Sequence, residues 1–269
     1  MTTAPTRTFG DHLRDWRALR GLSQLDLAAR AEVSQRHVSF LETGRSRPSR
    51  EMVTHLALVL EVPPREQNLM LATAGHAPSN TETPLEDLKG VSAVIDTMLD
   101  AHMPNMAIVV DRQWNLVRTN AAGALFTSLM FPEPPPWIEP PLNIMRLSLH
   151  PEGLRPHMLN WERTAGALLR RLERDAAQHP HDDGLQTLLD EVLAYPDVAS
   201  LRRADPSPKP DELLVAATYV LDGEPISFFT TIARIGDAHD LTLAELRIET
   251  FWPLDHESAD RWRRLAAIE

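Results

Sequence analysis

The chain has 269 residues, 43% of them hydrophobic and 24% charged, which is the composition of a folded globular protein of two domains at most and excludes disorder as the default. It has no cysteine, which excludes disulfides and thiolate metal centres, and no apolar run near the roughly 20 residues needed to span a bilayer, so a cytoplasmic protein with no membrane partner is expected. The net charge of −11 is unevenly placed: residues 1–60 hold nine arginines against six acids, a surplus of three that leaves −14 for the rest, so a mildly basic head is joined to an acidic body.

In chain order, Phe9, Leu13 and Trp16 fall at i, i+4 and i+7 and predict a helix with one apolar face, ended by Gly21. Ser23 is placed to cap a second helix, in which Leu25 and Ala28 are read as buried, the small Ala28 lying where another helix crosses closely. Ser34 caps a third helix with Val38 and Leu41 turned inward and a free polar outer face. Arg17 and Glu42 are expected to pair as a scaffold bridge. Two short helices joined by a tight turn, the second with a free polar face, form the helix-turn-helix pattern that lays its second helix in a DNA major groove. Short helices continue to residue 76.

The segment Phe9–Ser49 resembles the lambda-repressor/Cro-like family, also called the xenobiotic-response-element family. Ser23–Gln24, Leu27–Ala28, Val33–Ser34, Val38–Ser39, Leu41–Glu42, Gly44 and Pro48 all stand in step with it, and the match covers residues 9 to about 60. The resemblance implies that Gln35, Arg36, Ser39 and Phe40 face the groove, with His37 at its edge. By side-chain chemistry, Arg36 suits a bidentate contact to guanine and Gln35 a contact to adenine. Phe40 departs from the polar residue usual at its place and has two readings: contact with a thymine methyl, or packing under the following loop. Gln24, Ser34, Arg45 and Arg47 are implied phosphate contacts, which set register without reading sequence. The implied partner is double-stranded DNA with an inverted-repeat operator bound by a homodimer, because one reading helix buries too little surface for tight specific binding.

Residues 77–90, with the Pro- and Ser-containing stretch His76–Pro84, read as a linker between a helix-turn-helix domain at 1–76 and a second domain at 91–269. In that second domain Glu86–His102 has helical spacing, and Ala107–Asp111 with Asn115–Thr119 reads as a hairpin. The Pro-rich Phe131–Pro141 and the stretch Arg202–Glu212 read as loops. Arg155–Gln178 is the clearest helix, with an apolar stripe of Leu159, Ala165, Leu168, Leu169 and Leu172. Three strands follow, Leu213–Asp222, Pro225–Ile235 and Leu241–Trp252, and a short helix closes the chain at His256–Ala267. The fold class expected is an all-α N-terminal domain plus an α+β, PAS-like domain with a five-stranded antiparallel sheet and helices on one side of it.

Residues 104–265 further resemble the MmyB-like ligand-binding domain found behind this type of helix-turn-helix, on the segments VDRQWNLVRTNAAGALF, NIMRLSLHPEGLRPHMLNWE, DDGLQTLLDEV and DLTLAELRIETFWPLD. The resemblance implies no catalytic cofactor and a bound fatty acid or similar apolar ligand in a PAS-like cup. Tyr219, Phe228 and Ile232 on the strands and Met145, Leu149 and Trp161 on the covering helices are candidate wall residues, with Arg146 or His150 to orient a carboxylate. The same residues also suit ordinary core, and a second reading makes this domain a protein-interaction or dimerisation module without ligand.

Enzymatic chemistry is not expected. Of the two lysines, Lys89 lies by the linker and Lys209 between prolines, neither placed to act as the desolvated base of a self-cleaving serine peptidase. His150, His157, His179 and His181 match no metal-ligand spacing, and Asp182 or Asp183 is better placed as the cap of a helix beginning near Gly184.

Overall fold

The computed structural model describes residues 7–84, 87, 90–203, 214–236 and 240–266. The chain divides into two compact units, Met1–Glu82 with His239–Leu241 and Thr83–Ala238 with Thr242–Glu269.

Among the described residues the first unit contains five helices: α1 (Phe9–Leu19), α2 (Gln24–Arg30), α3 (Gln35–Glu42), α4 (Arg50–Val59) and α5 (Pro64–Thr73). Their starts are written locally. Thr8 and Asp11 form a reciprocal capping box, Ser23 and Asp26 form a second, and Ser34 and Ser49 accept hydrogen bonds from the backbone N–H groups of His37 and Met52. Gly21 ends α1 in the left-handed region, at φ 66°, and Glu32 makes the tight turn between α2 and α3 at φ 53°. Gly10 instead permits a close approach. A Cβ there would lie 2.5 Å from the Glu42 carbonyl oxygen, so α1 and the end of α3 meet backbone to backbone. Phe9, Leu13, Trp16, Leu27, Ala28, Val38, Leu41, Val53, Leu56, Met70 and Leu71 close the core.

Leu25 corrects the expectation for α2, being 61% exposed while Leu27 is fully buried. Leu27, Ala28 and Ala31 define the inner face, and Leu25 lies about a third of a turn away from it at roughly 100° per residue. The segment after α5 is tied to that helix. The Asn68 side chain accepts from the N–H groups of Ser79 (3.0 Å) and Asn80 (3.1 Å) and donates to the Asn80 carbonyl (2.8 Å).

The second unit is built on β1 (Ala107–Val110), β2 (Leu116–Thr119), β3 (Ala217–Leu221), β4 (Glu224–Ala233) and β5 (Arg247–Pro253), all antiparallel in the order β2-β1-β5-β4-β3. Alternation along the central strand β5 puts Arg247, Glu249 and Phe251 on one face and Ile248, Thr250 and Trp252 on the other. The first face is covered by α7 (Ala121–Met130), α8 (Ile144–Leu149), α9 (Trp161–Gln178) and α10 (Asp183–Ala194), with Ile108, Val110, Trp114, Leu169, Leu172 and Phe228 in the shared core. The sheet is covered on its other face as well, contrary to the one-sided arrangement expected. Ile95 and Leu99 of α6 (Val91–Asp100) pack there on Ala107, Val109 and Ile248.

Two further expectations are corrected. The long helix begins at Trp161 rather than Arg155, and Leu159 is 66% exposed. Residues 158–160 instead line the free edge of β3: Leu159 N–H donates to the Thr218 carbonyl (2.9 Å), and the Asn160 side chain bonds Ala216 O and Thr218 N. The last strand expected over Leu241–Trp252 is helical over Leu241–Glu245 (α11), and pairing with β1 and β4 starts only at Arg247 and Ile248. Leu213 and Ala267, the expected first residue of β3 and last of the closing helix, lie outside the described residues, as do Glu86, Lys89 and Lys209. The closing helix is α12 (His256–Leu265), whose buried Trp262 meets Phe228 edge to face with ring centroids 5.7 Å apart.

Candidate functional site

Helix α3 sits in its unit by Val38, Leu41 and Glu42, which are buried, and leaves Gln35 and Arg36 exposed with His37, Ser39 and Phe40 half-buried. The Phe40 ring carries two guanidinium groups, Arg36 from the preceding turn at 5.1 Å and Arg45 from the loop beyond at 5.9 Å. That loop folds back on the same residue, since the N–H groups of Arg45 (2.8 Å) and Ser46 (3.2 Å) both donate to the Phe40 carbonyl. Phe40 thus has both the following loop and two cations beside it at the free face of α3.

The other expected contacts divide between this face and the scaffold. Ser34 is spent as the α3 cap. Gln24 donates its amide to Glu42 (2.7 Å), and Arg47 turns to the carboxyl end of α5, donating to the Ala74 carbonyl (3.4 Å). Glu42, 4% exposed, joins three helices: it accepts from Arg17 Nε (2.6 Å) and Nη2 (3.1 Å) besides Gln24, so the scaffold bridge forms as expected. Burial pushes the Glu42 carboxyl up, but the hydrogen bonds of Arg17 and Gln24 and the charges of Arg17 and Arg14 outweigh it and hold the group below its ordinary value.

In the second unit the sheet and its covering helices enclose a cavity of about 150 Å³. Its apolar wall includes Ile108, Leu116, Phe126, Leu147, Leu168 and Phe228, and its polar groups include Tyr219, Arg171 and Glu249 with the hydroxyls of Thr119, Thr127, Ser148, Thr164 and Thr230. Arg171 Nη1 meets Glu249 Oε1 at 3.4 Å across the space between α9 and β5. Burial drives the Glu249 carboxyl up, and the opposing effects of Arg171, Thr230 and Arg247 do not cancel it.

Of the wall residues expected from sequence, Tyr219 and Phe228 line this cavity. Met145, Leu149 and Trp161 are buried in the core without lining it, and Ile232, on the same face of β4 as Phe228, is exposed. The caps decide which face of α8 turns inward. Asn143 accepts from Met145 N–H (3.1 Å) and Arg146 N–H (3.2 Å) while donating to Gln113 O (2.8 Å), and Ile144, Leu147 and Ser148 then face the cavity. Arg146 and His150 belong to a different pocket: Arg146 grips Glu191 through Nε and Nη2 (2.8 Å each), Tyr195 donates to the same carboxylate (2.6 Å), and His150 stacks on Trp137 at 4.0 Å. Arg171 and Glu249 are the polar residues that sequence reasoning missed. Their signal was the β5 alternation, in which Arg247, Glu249 and Phe251 share one face.

A helix-turn-helix with a free arginine-bearing face and, in the same chain, a sheet cup enclosing a mostly apolar cavity define a DNA-binding transcription regulator with a ligand-binding domain. The chain belongs to the family described as the MmyB-like transcription regulator ligand binding domain, whose model matches residues 91–265, and residues 13–67 match the helix-turn-helix model. No curated protein matches the chain at a significant level. Among the described residues no helix is long and apolar enough to cross a membrane.

Proposed function

We propose that the protein is a cytoplasmic homodimer that reads an inverted-repeat operator through α3 and is controlled by a small apolar ligand in the cup of the second unit. Residues 77–90 serve as the link between a DNA-binding domain at 1–76 and the sensor at 91–269. Arg36 and Gln35 read base edges, with Ser39 and His37 beside them. Arg45, held on Phe40, meets phosphate, and Gln24, Ser34 and Arg47 support the docking geometry from the scaffold side. The observation that carries the DNA reading is the Arg36–Phe40–Arg45 stack on the one face of α3 not buried in its unit.

The ligand reading rests on the cavity. A space of about 150 Å³ is the size that holds a benzene-like molecule, so it takes a tail of about six carbons. The ligand is fatty-acid-like, with its tail in this space. Ligand occupancy changes DNA affinity only if the ligand binds two states of the regulator unequally.

Selection from random duplexes with the purified full chain tests the first part. The expected product is an inverted repeat with half-sites about 34–36 Å apart, bound by two chains, and enrichment of single half-sites bound by one chain overturns the dimer reading. Native against denaturing mass spectra test the second. Extra mass that vanishes on denaturation supports a ligand-holding cup, while an unliganded mass together with unchanged DNA affinity in the presence of short-chain amphipaths favours an interaction module.

A further inference from the structure

Helix α9 borders two spaces. Thr164, Ala167, Leu168 and Arg171 face the cup, whereas Glu162, Arg163, Gly166 and Arg170 line a separate cleft of about 590 Å³, closed on its other side by the 3-10 helix Val198–Arg203. Arg155 and Arg203 bring the arginines of this cleft to four, and among its described walls only Glu162 and Asp197 carry carboxylates. The cleft thus holds a surplus of two positive charges, although residues 61–269 as a whole carry −14. A solvated face of an acidic domain does not collect arginine in this way.

The arginines are held in place by their surroundings. Arg163 and Arg170 are seven residues apart and share one stripe of α9, with Gly166 between them. A glycine inside a helix is unfavourable relative to alanine, and this one keeps the floor of the cleft bare, since a Cβ there would lie 3.3 Å from Arg170 Nη1. Arg155 lies over the Trp161 ring at 4.0 Å and donates to the Pro196 carbonyl (3.0 Å) and to Asp197 Oδ2 (2.7 Å). Trp161 is anchored in turn, its Nε1 donating to the Ser148 carbonyl at 3.1 Å. Arg170 is half-buried, and among the described residues neither it nor Arg203 has a carboxylate within ion-pair distance. Like charges gathered in a concave space repel one another, and a bound anion removes that repulsion.

We propose that this cleft is a second ligand site, which binds a compact phosphate group carried by a small phosphate ester or present as inorganic pyrophosphate. Arg170 and Arg203 supply guanidinium forks not already committed to a carboxylate, and the fixed Arg155 and neighbouring Arg163 complete the positive field. The doubly negative phosphate matches the surplus charge of the cleft. The volume is that of a small-molecule site and leaves room for the body of an ester, and a concave space suits a small anion better than the backbone of a duplex. The site is independent of the cup: either can be occupied, or refuted, without the other.

The test is a calorimetric titration of the full-length protein with sodium pyrophosphate, with AMP and with adenosine, at neutral pH and physiological salt, repeated on Arg170→Gln, Arg203→Gln and Arg36→Ala. Pyrophosphate, AMP or both are expected to bind saturably at one site per chain, and adenosine is not. Tighter binding of pyrophosphate assigns the site to the inorganic anion, and tighter binding of AMP assigns it to an ester. Arg170→Gln and Arg203→Gln should each weaken the binding about tenfold, with the thermal melt of the ligand-free protein unchanged or raised, because the arginines repel one another. A merely structural arginine would lower the melt instead. Arg203 is exposed, so its variant tests the site even if Arg170→Gln fails to fold. If neither anion binds saturably the site is overturned, and a loss of operator affinity in Arg203→Gln in that case reassigns the cleft to DNA. Binding that survives both glutamine variants and is lost in Arg36→Ala belongs to the DNA-reading face and equally overturns the proposal.

Discussion

Replacing Glu42 by alanine tests whether the first unit is held by a buried charge rather than by its apolar core alone. The substitution removes the acceptor of two Arg17 hydrogen bonds, at 2.6 and 3.1 Å, and of the Gln24 bond at 2.7 Å, leaving Arg17, among the described residues, only its hydrogen bond to the Leu22 carbonyl at 2.8 Å. Removing one partner of a buried pair costs about 3–5 kcal/mol. The Arg17 side chain keeps 15% of its surface in water and rehydrates in part, so the lower end, about 3 kcal/mol, applies. At about 1.4 kcal/mol per decade this raises the opening equilibrium roughly 150-fold. Hydrogen exchange of α1–α5 peptides at pH 7, read by mass spectrometry, should speed up by that order. An acceleration below tenfold refutes the reasoning and makes the pair equivalent to a surface salt bridge. The pH dependence supplies a control with a definite sign. Because the Glu42 carboxyl is held low in the fold, its contribution is complete above the unfolded value of about 4.3 and is lost as pH falls through the lower folded value. The difference between wild type and Glu42→Ala should therefore shrink only below about pH 4.3.

Three other outcomes follow from the geometry. Arg36→Ala should cost about 1–3 kcal/mol at the selected operator and relax base preference at one position, whereas Arg45→Ala should weaken all sequences alike and lower the salt dependence by about one counterion, both read by fluorescence anisotropy across a salt series. Asn120→Ala should lower the urea midpoint of the second unit by the equivalent of about 3 kcal/mol, since its buried side chain accepts from Ala107 and Gly123 N–H and donates to the carbonyls of Leu99 and Asn105. Glu249→Gln should stabilise the second unit at pH 8 or leave it unchanged, with any gain vanishing as the pH is lowered towards the unfolded carboxyl value near 4.3. The sign is opposite to that of Glu42, because burial raises the Glu249 carboxyl and the unfavourable term enters as pH rises through the folded value. Burial sets it, against Arg171 from α9, the Thr230 hydroxyl from β4 and Arg247 from β5.

The two units were legible in the sequence to different depths for physical reasons. In the first unit the rules are local: a serine or threonine three residues before an aspartate both announces a helix start and makes it, and a glycine after the last apolar residue stops it. The one misplacement there, Leu25, came from taking any leucine in α2 as buried without fixing which face the neighbours Leu27, Ala28 and Ala31 occupy. In the second unit the strands and helices could be placed, but the cavity wall could not, because a wall is chosen by rotation. Met145 and Ile144 are adjacent in sequence and equally apolar, and the Asn143 cap turns the second into the cavity and the first into the core. Arg146 and His150, the polar groups expected in the cup, are carried by the same rotation to the pocket with Glu191 and Trp137. Arg171 and Glu249 were obscured by the ordinary rule that charges point outward, which holds until two charges on facing elements satisfy one another.

The size of the cavity makes the head group decisive. Burying a tail of about six methylenes is worth roughly 5 kcal/mol at ~0.8 kcal/mol each, and fixing a small molecule in place costs at least about 4 kcal/mol of that. A bare hydrocarbon in this cup is therefore a weak ligand, far short of the roughly 5.5 kcal/mol of differential affinity that carries a two-state regulator from one extreme population to the other. What remains must come from directed hydrogen bonds made in one state and not the other. The cup offers Tyr219, Glu249 and Arg171 for this, besides the hydroxyls of Thr119, Thr127, Ser148, Thr164 and Thr230. A regulator built this way discriminates by head group more sharply than by chain length. Adding methylenes to the tail should change affinity gradually until the cavity is full, whereas removing one polar wall group, as in Tyr219→Phe, should change it in a single step.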